Sequence, residues 1–157
     1  TTLGNPAAGL VAKQVNYDGD RGDDGSLLFN VQAIGGAGSP LEWGIMLTAG
    51  KVTHAAAANG TSVDNAALTA FGAAGYVHLF SLASGTVTPV FQDSADDIAF
   101  AAITDLTMTA QTARASERKA SSVSTATIRR YVRIATTGTF TNAVMAAMLA
   151  RFIVATL

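Results

Sequence analysis

Apolar and polar residues alternate along several short stretches of this chain, and the clearest stretch runs from Ser26 to Ile34 (SLLFNVQAI). One side of an extended strand there carries Leu27, Phe29, Val31 and Ala33, and the other carries Leu28, Asn30 and Gln32. A period of two with one apolar side is typical of a strand that packs on one face and meets water on the other. We therefore predict a half-buried strand over these residues.

Similar patterns recur at short spacing along the rest of the chain. The other predicted strands are Gly9–Tyr17, Leu41–Thr48, Gly75–Ala83, Thr86–Ser94, Asp97–Ile103 and Ile128–Thr137. Between them lie turn residues, at Gly35–Pro40, Asn59-Gly60, Ser94–Asp97 and Thr137-Gly138. Short strands separated by Gly, Asn and Asp turns favour a β-sandwich or barrel. The predicted fold class is all-β: an antiparallel β-sandwich with an extended N-terminal arm.

Three segments fit this pattern less directly. The content of Ala, Met and Leu in Asn142–Leu157 favours a helix, whereas the alternation from Val144 to Phe152 fits a strand, so that periodicity leaves both structures open. The polar segment Ala110–Thr127 fits a loop, an arm or a strand whose basic residues face water. Thr1–Leu10 has no periodicity and predicts an extended arm anchored by a neighbouring subunit.

Composition adds a reason to expect assembly. Charged residues make up 13% of the chain, compared with about 25% in typical globular domains, and the mean hydropathy is +0.32. A surface with so few charges is typical of a protein that contacts other subunits. A small domain rich in Ala and Thr, with a mildly polar surface, is the alternative interpretation.

The stretch Asn16–Ser26 (NYDGDRGDDGS) contains four aspartates and the tripeptide Arg21-Gly22-Asp23. Counted from Asp18, it lacks the Gly at position six and the Glu at position twelve of an EF-hand loop. The tripeptide is short and consists of common turn residues. We interpret the stretch as a solvated hairpin loop that binds neither structural calcium nor a receptor.

The remaining candidate chemistry is sparse. The chain has no cysteine, and His54 and His78 lack metal-ligand spacing, so we predict no catalytic residue, no metal and no cofactor. A net charge of −1 predicts neither a sequence-specific nucleic-acid partner nor a membrane partner. For the basic group Arg129, Arg130 and Arg133, we favour cross-strand pairing with carboxylates such as Asp93 or Asp97 over phosphate binding.

Three longer strings carry a family resemblance: ANGTSVDNAALTAFGAAGYVHLFSL (58–82), VTPVFQDSADDIAFAAI (87–103) and RRYVRIATTGTFTNAVMAAMLARF (129–152). Together they resemble the carboxy-terminal β-sandwich of tailed-bacteriophage structural proteins, especially major tail or tail-tube proteins. The segment Tyr17–Gly50 is similar to the part that joins this sandwich to a tube-forming domain. The resemblance implies that Ala143–Val154 is a strand.

The resemblance also implies a role. It predicts a non-enzymatic virion protein, assembled in the host cytoplasm, that forms a ring or trimer and contacts other virion proteins as a tail-tube subunit. Family members usually carry more sequence before the region that Tyr17 begins here, which makes capsid decoration the alternative. A carbohydrate-binding module with a weak glycan contact is a further alternative.

These expectations define domains and interface residues. We predict an arm and hairpin or linker segment over residues 1–57 and a β-sandwich over residues 58–157, with a small-residue hinge at Ala55–Gly60. Trp43 is expected to be at least partly buried at a subunit or arm contact. The full set of predicted interface residues is Leu10, Trp43, Met46, Phe71, Arg129 and Arg133.

Overall fold

The computed structural model describes residues 2–36 and 40–153. Thr1 of the predicted arm, residues 37–39 of the predicted Gly35–Pro40 turn and Val154 of the predicted last strand lie outside these ranges. All regular structure in the described part of the chain is β-strand, and its sheets are antiparallel, which confirms the predicted fold class.

The chain forms two compact units, Thr1–Gly9 with Trp43–Leu157, and Leu10–Glu42. The predicted division at residues 57 and 58 is therefore corrected. The first, fourth and fifth strands precede that boundary, yet they belong to the same sheet as the last strand. The sandwich thus includes residues 1–9 and 43–57 of the segment that we had predicted to be a separate arm and linker.

Thirteen strands are present in the described residues. They are β1 Pro6–Gly9, β2 Ala12–Arg21, β3 Leu27–Gly35, β4 Glu42–Met46, β5 Val52–His54, β6 Ala58–Asn59, β7 Val63–Asp64, β8 Ala73–Gly85, β9 Thr88–Ser94, β10 Ala101–Thr107, β11 Ala115–Ala120, β12 Tyr131–Thr137 and β13 Phe140–Arg151. One sheet has the order β1-β4-β13-β8-β11, and β5 also pairs with β13. The second sheet has the order β10-β9-β12-β6, and β7 also pairs with β12.

The two sheets enclose one hydrophobic core. Alternate residues of β8 and β13, such as Val77 and Leu149, pack with Phe91 and Ile134 of the second sheet. The sheets approach closely at Gly75, where a β-carbon would lie 2.5 Å from the ring of Phe91. Glycine in mid-strand thus makes room for the largest fully buried side chain of the core.

The C-terminal segment is the long strand β13, as the resemblance implied. Ala143, Met145, Ala147 and Leu149 face the core. Met148 and Ala150 face the opposite side of the sheet, where they pack in a second cluster with Tyr76. Both faces of the strand are therefore apolar, which explains why no single face stood out in the sequence.

The expectation of an arm held only by a neighbouring subunit is wrong for residues 4–9. The amide of Gly4 donates to the carbonyl of Met46 at 2.8 Å, and the amide of Met46 donates to the carbonyl of Asn5 at 2.9 Å. These bonds make β1 an edge strand of the six-stranded sheet. A β-carbon at Gly9 would lie 2.6 Å from the ring of Tyr76, so the chain here runs directly over that ring.

Two other predicted elements change. The strand predicted over Asp97–Ile103 lies instead at Ala101–Thr107. It starts late because the carboxylate of Asp96 accepts hydrogen bonds from the amides of Ile98 and Ala99, which closes a turn there. The open segment Ala110–Thr127 contains the edge strand β11.

Candidate assembly surface

Residues 10–42 contain one two-stranded antiparallel sheet, the hairpin of β2 and β3. Residues that face each other across such a pair lie on the same side of the sheet. Tyr17 is opposite Val31, Gly19 is opposite Phe29, and Arg21 is opposite Leu27. The hairpin therefore has an apolar face, formed by Tyr17, Leu27, Phe29 and Val31.

The apolar face is open to solvent in the single chain. Its four side chains are between 51% and 58% exposed, and every residue of both strands is exposed except Asn16. A two-stranded hairpin in water is marginally stable at best without a third strand or another packed layer. Covering the exposed half of each of these side chains would contribute roughly 1 kcal/mol per residue.

Local contacts give the apolar face a defined shape. The rings of Tyr17 and Phe29 stack with centroids 5.1 Å apart and an interplanar angle of 27°. A β-carbon at Gly19 would lie 3.2 Å from the ring of Phe29, so this ring covers the glycine opposite it. The two rings form a continuous aromatic surface across both strands.

The other face of the hairpin is mixed and acidic. Asp18 is opposite Asn30, and Asp20 is opposite Leu28. The sequence had placed all four aspartates in the loop, but Asp18 and Asp20 lie within β2, and only Asp23 and Asp24 lie in the turn. Hydrogen bonds from the Ser26 hydroxyl and amide lower the pKa of Asp24 below 3.8, so it is ionised at neutral pH.

The three arginines of the predicted basic group are engaged with nearby groups. Arg129 binds Asp93, with Nη2 2.6 Å from Oδ1, which confirms the predicted pairing with that carboxylate. Arg130 pairs with Asp64 instead. Arg133 donates to Oε1 of Gln92 at 2.8 Å, and its guanidinium lies 3.9 Å from the ring centroid of Phe100.

The six predicted interface residues are distributed over both units of the chain. Leu10 belongs to the unit of residues 10–42, and the other five belong to the sandwich. Met46 is half-buried beside Met148 in the second apolar cluster, and Phe71 is half-buried in the loop before β8. Arg129 and Arg133 have the contacts given above.

Trp43 is 69% exposed, so the expectation that it is at least partly buried does not hold within one chain. A core-type loss of about 3–5 kcal/mol on Trp43→Ala is accordingly no longer expected for the monomer. Burial of this side chain at a subunit contact stays a prediction.

The sequence had identified the alternating face of β3, but as a face that packs within its own chain. The interface prediction therefore missed Tyr17, Leu27, Phe29 and Val31. The sequence signal that could have identified these four residues is the pattern of a long hairpin. Both strands are long, the turn between them is polar, and only one strand carries a complete apolar face.

The two histidines, His54 and His78, are the remaining candidates for metal binding or titration near neutral pH. No cluster of three or more His, Asp or Glu side chains with metal-site geometry occurs in the described ranges. His78 is exposed, and its Nδ1 lies 2.8 Å from the Ser116 hydroxyl. His54 is half-buried, and burial lowers its pKa below 6.5. Within residues 2–36 and 40–153, no helix has the length and apolar character of a membrane span.

The fold is thus an antiparallel β-sandwich whose chain also forms a hairpin with an exposed apolar face. Comparisons of the chain with protein-family models, with curated proteins and with solved structures give no match.

Proposed function

We propose that this chain is a non-enzymatic structural protein that assembles with copies of itself through the hairpin of β2 and β3. The observation that carries the proposal is the apolar face of Tyr17, Leu27, Phe29 and Val31, exposed in an otherwise two-stranded sheet. An apolar sheet face of this kind gains stability when a neighbouring subunit covers it.

Strand edges provide the second contribution. Among residues 2–36 and 40–153, β2 and β3 of the hairpin pair only with each other, so the outer edge of each strand presents backbone donors and acceptors. Such edges pair readily with strands of another chain. Apolar contact supplies the affinity, and backbone pairing fixes the register between subunits.

The particular role that we propose is that of a virion protein of a tailed bacteriophage, assembled in the host cytoplasm as a tail-tube subunit. It is supported by the resemblance of residues 58–82, 87–103 and 129–152 and by the low charged fraction of 13%. In a tube, an acidic hairpin face turned toward the lumen would repel the phosphates of passing DNA. Capsid decoration is the alternative role within the same class.

A carbohydrate-binding module is the second candidate function. The observation that favours it is Trp43, whose indole ring is 69% exposed, because exposed aromatic rings are the usual platform for sugar rings. A glycan array with signals above background that Trp43→Ala removes would support this function instead.

The assembly proposal is tested by two identical substitutions on adjacent residues. Leu27→Asp places a charge on the apolar face, whereas Leu28→Asp places the same charge on the opposite face, where Leu28 is also exposed. Mass is measured by sedimentation over a range of protein concentrations. We expect oligomers of the parent and of Leu28→Asp, and at least a tenfold weaker association of Leu27→Asp.

A parent chain that stays monomeric at high concentration would refute the proposal, as would equal association of the two variants. The virion role is tested separately by locating the protein in particles with labelled antibodies. Label along stacked rings of a tail supports the tube role, label on the shell supports decoration, and particles without label contradict both.

A further inference from the structure

Exposed apolar side chains of the sandwich collect at one end. Among the described residues from Trp43 onward, the large hydrophobic side chains that are exposed are Trp43, Leu68, Phe80, Ile98, Val123 and Ile153. All except Phe80 lie where β8 and β12 begin and where β9 and β13 end. We call this the loop end, because the loops of residues 65–72, 95–100 and 121–130 meet there.

Hydrogen bonds tie the loop of residues 65–72 to the loop of residues 121–130 and to the end of β13. The amide of Asn65 donates to the carbonyl of Arg130 at 3.1 Å, and the amide of Gly72 donates to the carbonyl of Ala126 at 2.8 Å. Nη1 of Arg151 donates to the carbonyl of Ala67 at 2.6 Å. These hydrogen bonds hold the loops in a defined arrangement, which a surface for specific docking requires.

The loop end contains a groove of about 240 Å³ beside β4 and β13. Its exposed or half-buried apolar walls are Trp43, Ile45 and Ile153. Arg151 also borders it, but its guanidinium is occupied by the carbonyls of Ala67 and Asn65. The groove is therefore suited to an apolar side chain.

One apolar side chain, that of Ile98, projects from the same end of the sandwich. Ile98 is 85% exposed at the tip of the turn between β9 and β10. The carboxylate of Asp96 fixes this turn by accepting hydrogen bonds from the Ser94 hydroxyl at 2.7 Å and from the amides of Ile98 and Ala99 at 3.0 Å. Asp97 has a φ of 62°, a conformation that non-glycine residues adopt rarely. A fixed turn of this kind presents Ile98 without the entropy cost of ordering a loop on binding.

We propose that the loop end is an interface between two copies of this chain, in which Ile98 of one copy enters the groove beside Trp43 of the other. In a two-fold contact the same surface is used on both copies. Ile98 of each copy can therefore enter the groove of the other copy. The five exposed side chains offer on the order of 600 Å² of apolar surface, compared with about 800 Å² per partner in a standard interface. Complete burial on both copies would remove about 1,200 Å² in total, which is the lower end of the range for stable interfaces.

Charges at the loop end do not favour an anionic ligand in its place. Arg129 is paired with Asp93, Arg130 is paired with Asp64, and Arg151 is held by two carbonyls. This interface involves residues other than the hairpin face, so variants of one surface separate its contribution to self-association from that of the other.

The first test uses the absence of cysteine from the chain. Ile98→Cys and isotope-labelled Ile153→Cys proteins are mixed under mild oxidation, and mixed disulfides are identified by mass. We expect the mixed disulfide to form at least tenfold faster than in the control mixture of Ile98→Cys with Phe80→Cys. A rate equal to that of the control would overturn the proposal.

The second test uses the single tryptophan of the chain. When a second copy occupies the groove, it removes Trp43 from water. The fluorescence emission of Trp43 should therefore shift to shorter wavelength as the protein concentration rises. Ile98→Ser should abolish the shift, and the neighbouring Ala99→Ser should retain it. Emission that is independent of concentration in the parent contradicts the proposal. The Leu27→Asp variant should still show the shift, which separates this interface from the hairpin.

Discussion

The guanidinium of Arg129 lies 2.6 Å from the carboxylate of Asp93 and closes over a side chain that is itself buried. The Arg129 amide donates to the second carboxylate oxygen at 2.8 Å. Oδ1 of Asp93 thus accepts from the charged guanidinium, and Oδ2 accepts from a backbone amide. A buried carboxylate is tolerated when both of its oxygens have such donors.

Arg129→Ala should destabilise the sandwich because it removes both side-chain donors, Nε and Nη2, from Oδ1 of this carboxylate. Breaking a fully buried pair costs about 3–5 kcal/mol. The Arg129 side chain is 36% exposed, and water screens part of the attraction, so we expect about 1–3 kcal/mol. Denaturant unfolding measures the loss. Arg130→Ala, which breaks the exposed pair with Asp64, is the control and should leave the midpoint nearly unchanged; equal losses would show that burial of Asp93 is not the cause.

Gly75→Ala should lower the free energy of unfolding through overpacking. The added β-carbon would lie 2.5 Å from the ring of Phe91, which is fully buried and has no room to withdraw. Overpacking of a core typically costs about 1–3 kcal/mol. Gly36→Ala is the matched control, since its nearest neighbour would be at 3.9 Å. A thermal melt of Gly75→Ala at the parent temperature would contradict the described packing of the two sheets.

Stability should fall as the pH is lowered from about 7 to 5, and His54 should account for part of the fall. Burial lowers the pKa of His54 below 6.5 in the folded chain. The unfolded chain therefore takes up this proton first as the pH falls through 6.5, which favours unfolding. His54→Gln should flatten the curve of unfolding free energy against pH in this range. An unchanged slope in His54→Gln would assign the pH dependence to other groups.

Calcium should leave the melting temperature unchanged. Calcium requires six to eight oxygen ligands at about 2.3–2.6 Å, and the four aspartates are divided between β2 and the turn. Asp24 already accepts a hydrogen bond from the Ser26 amide at 2.9 Å. Melts with chelator and with millimolar calcium test this expectation. A calcium-dependent rise of more than a few degrees, absent from an Asp20→Asn, Asp24→Asn variant, would make the hairpin a metal site.

The sequence determined the class of fold, because alternation and turn residues are local properties. The strands around Phe29, Phe91 and Ile134 occupy the predicted segments, and the fold is antiparallel as expected. The long strand β13 was open to two interpretations because both of its faces pack against apolar residues. A strand that is apolar on both faces shows no alternation of apolar and polar residues.

Only the tertiary structure decided what each apolar face contacts. The pattern of Leu27, Phe29 and Val31 showed that one face of β3 is apolar, but a pattern does not specify whether the covering partner is in the same chain. In the same way, sequence gave no sign that Trp43 and Ile98 lie at one end of the sandwich, because they are distant in the chain and are brought there by strands of different sheets. Local periodicity determines which side of a strand is apolar, whereas exposure depends on contacts between residues far apart in sequence, and only the folded chain contains these.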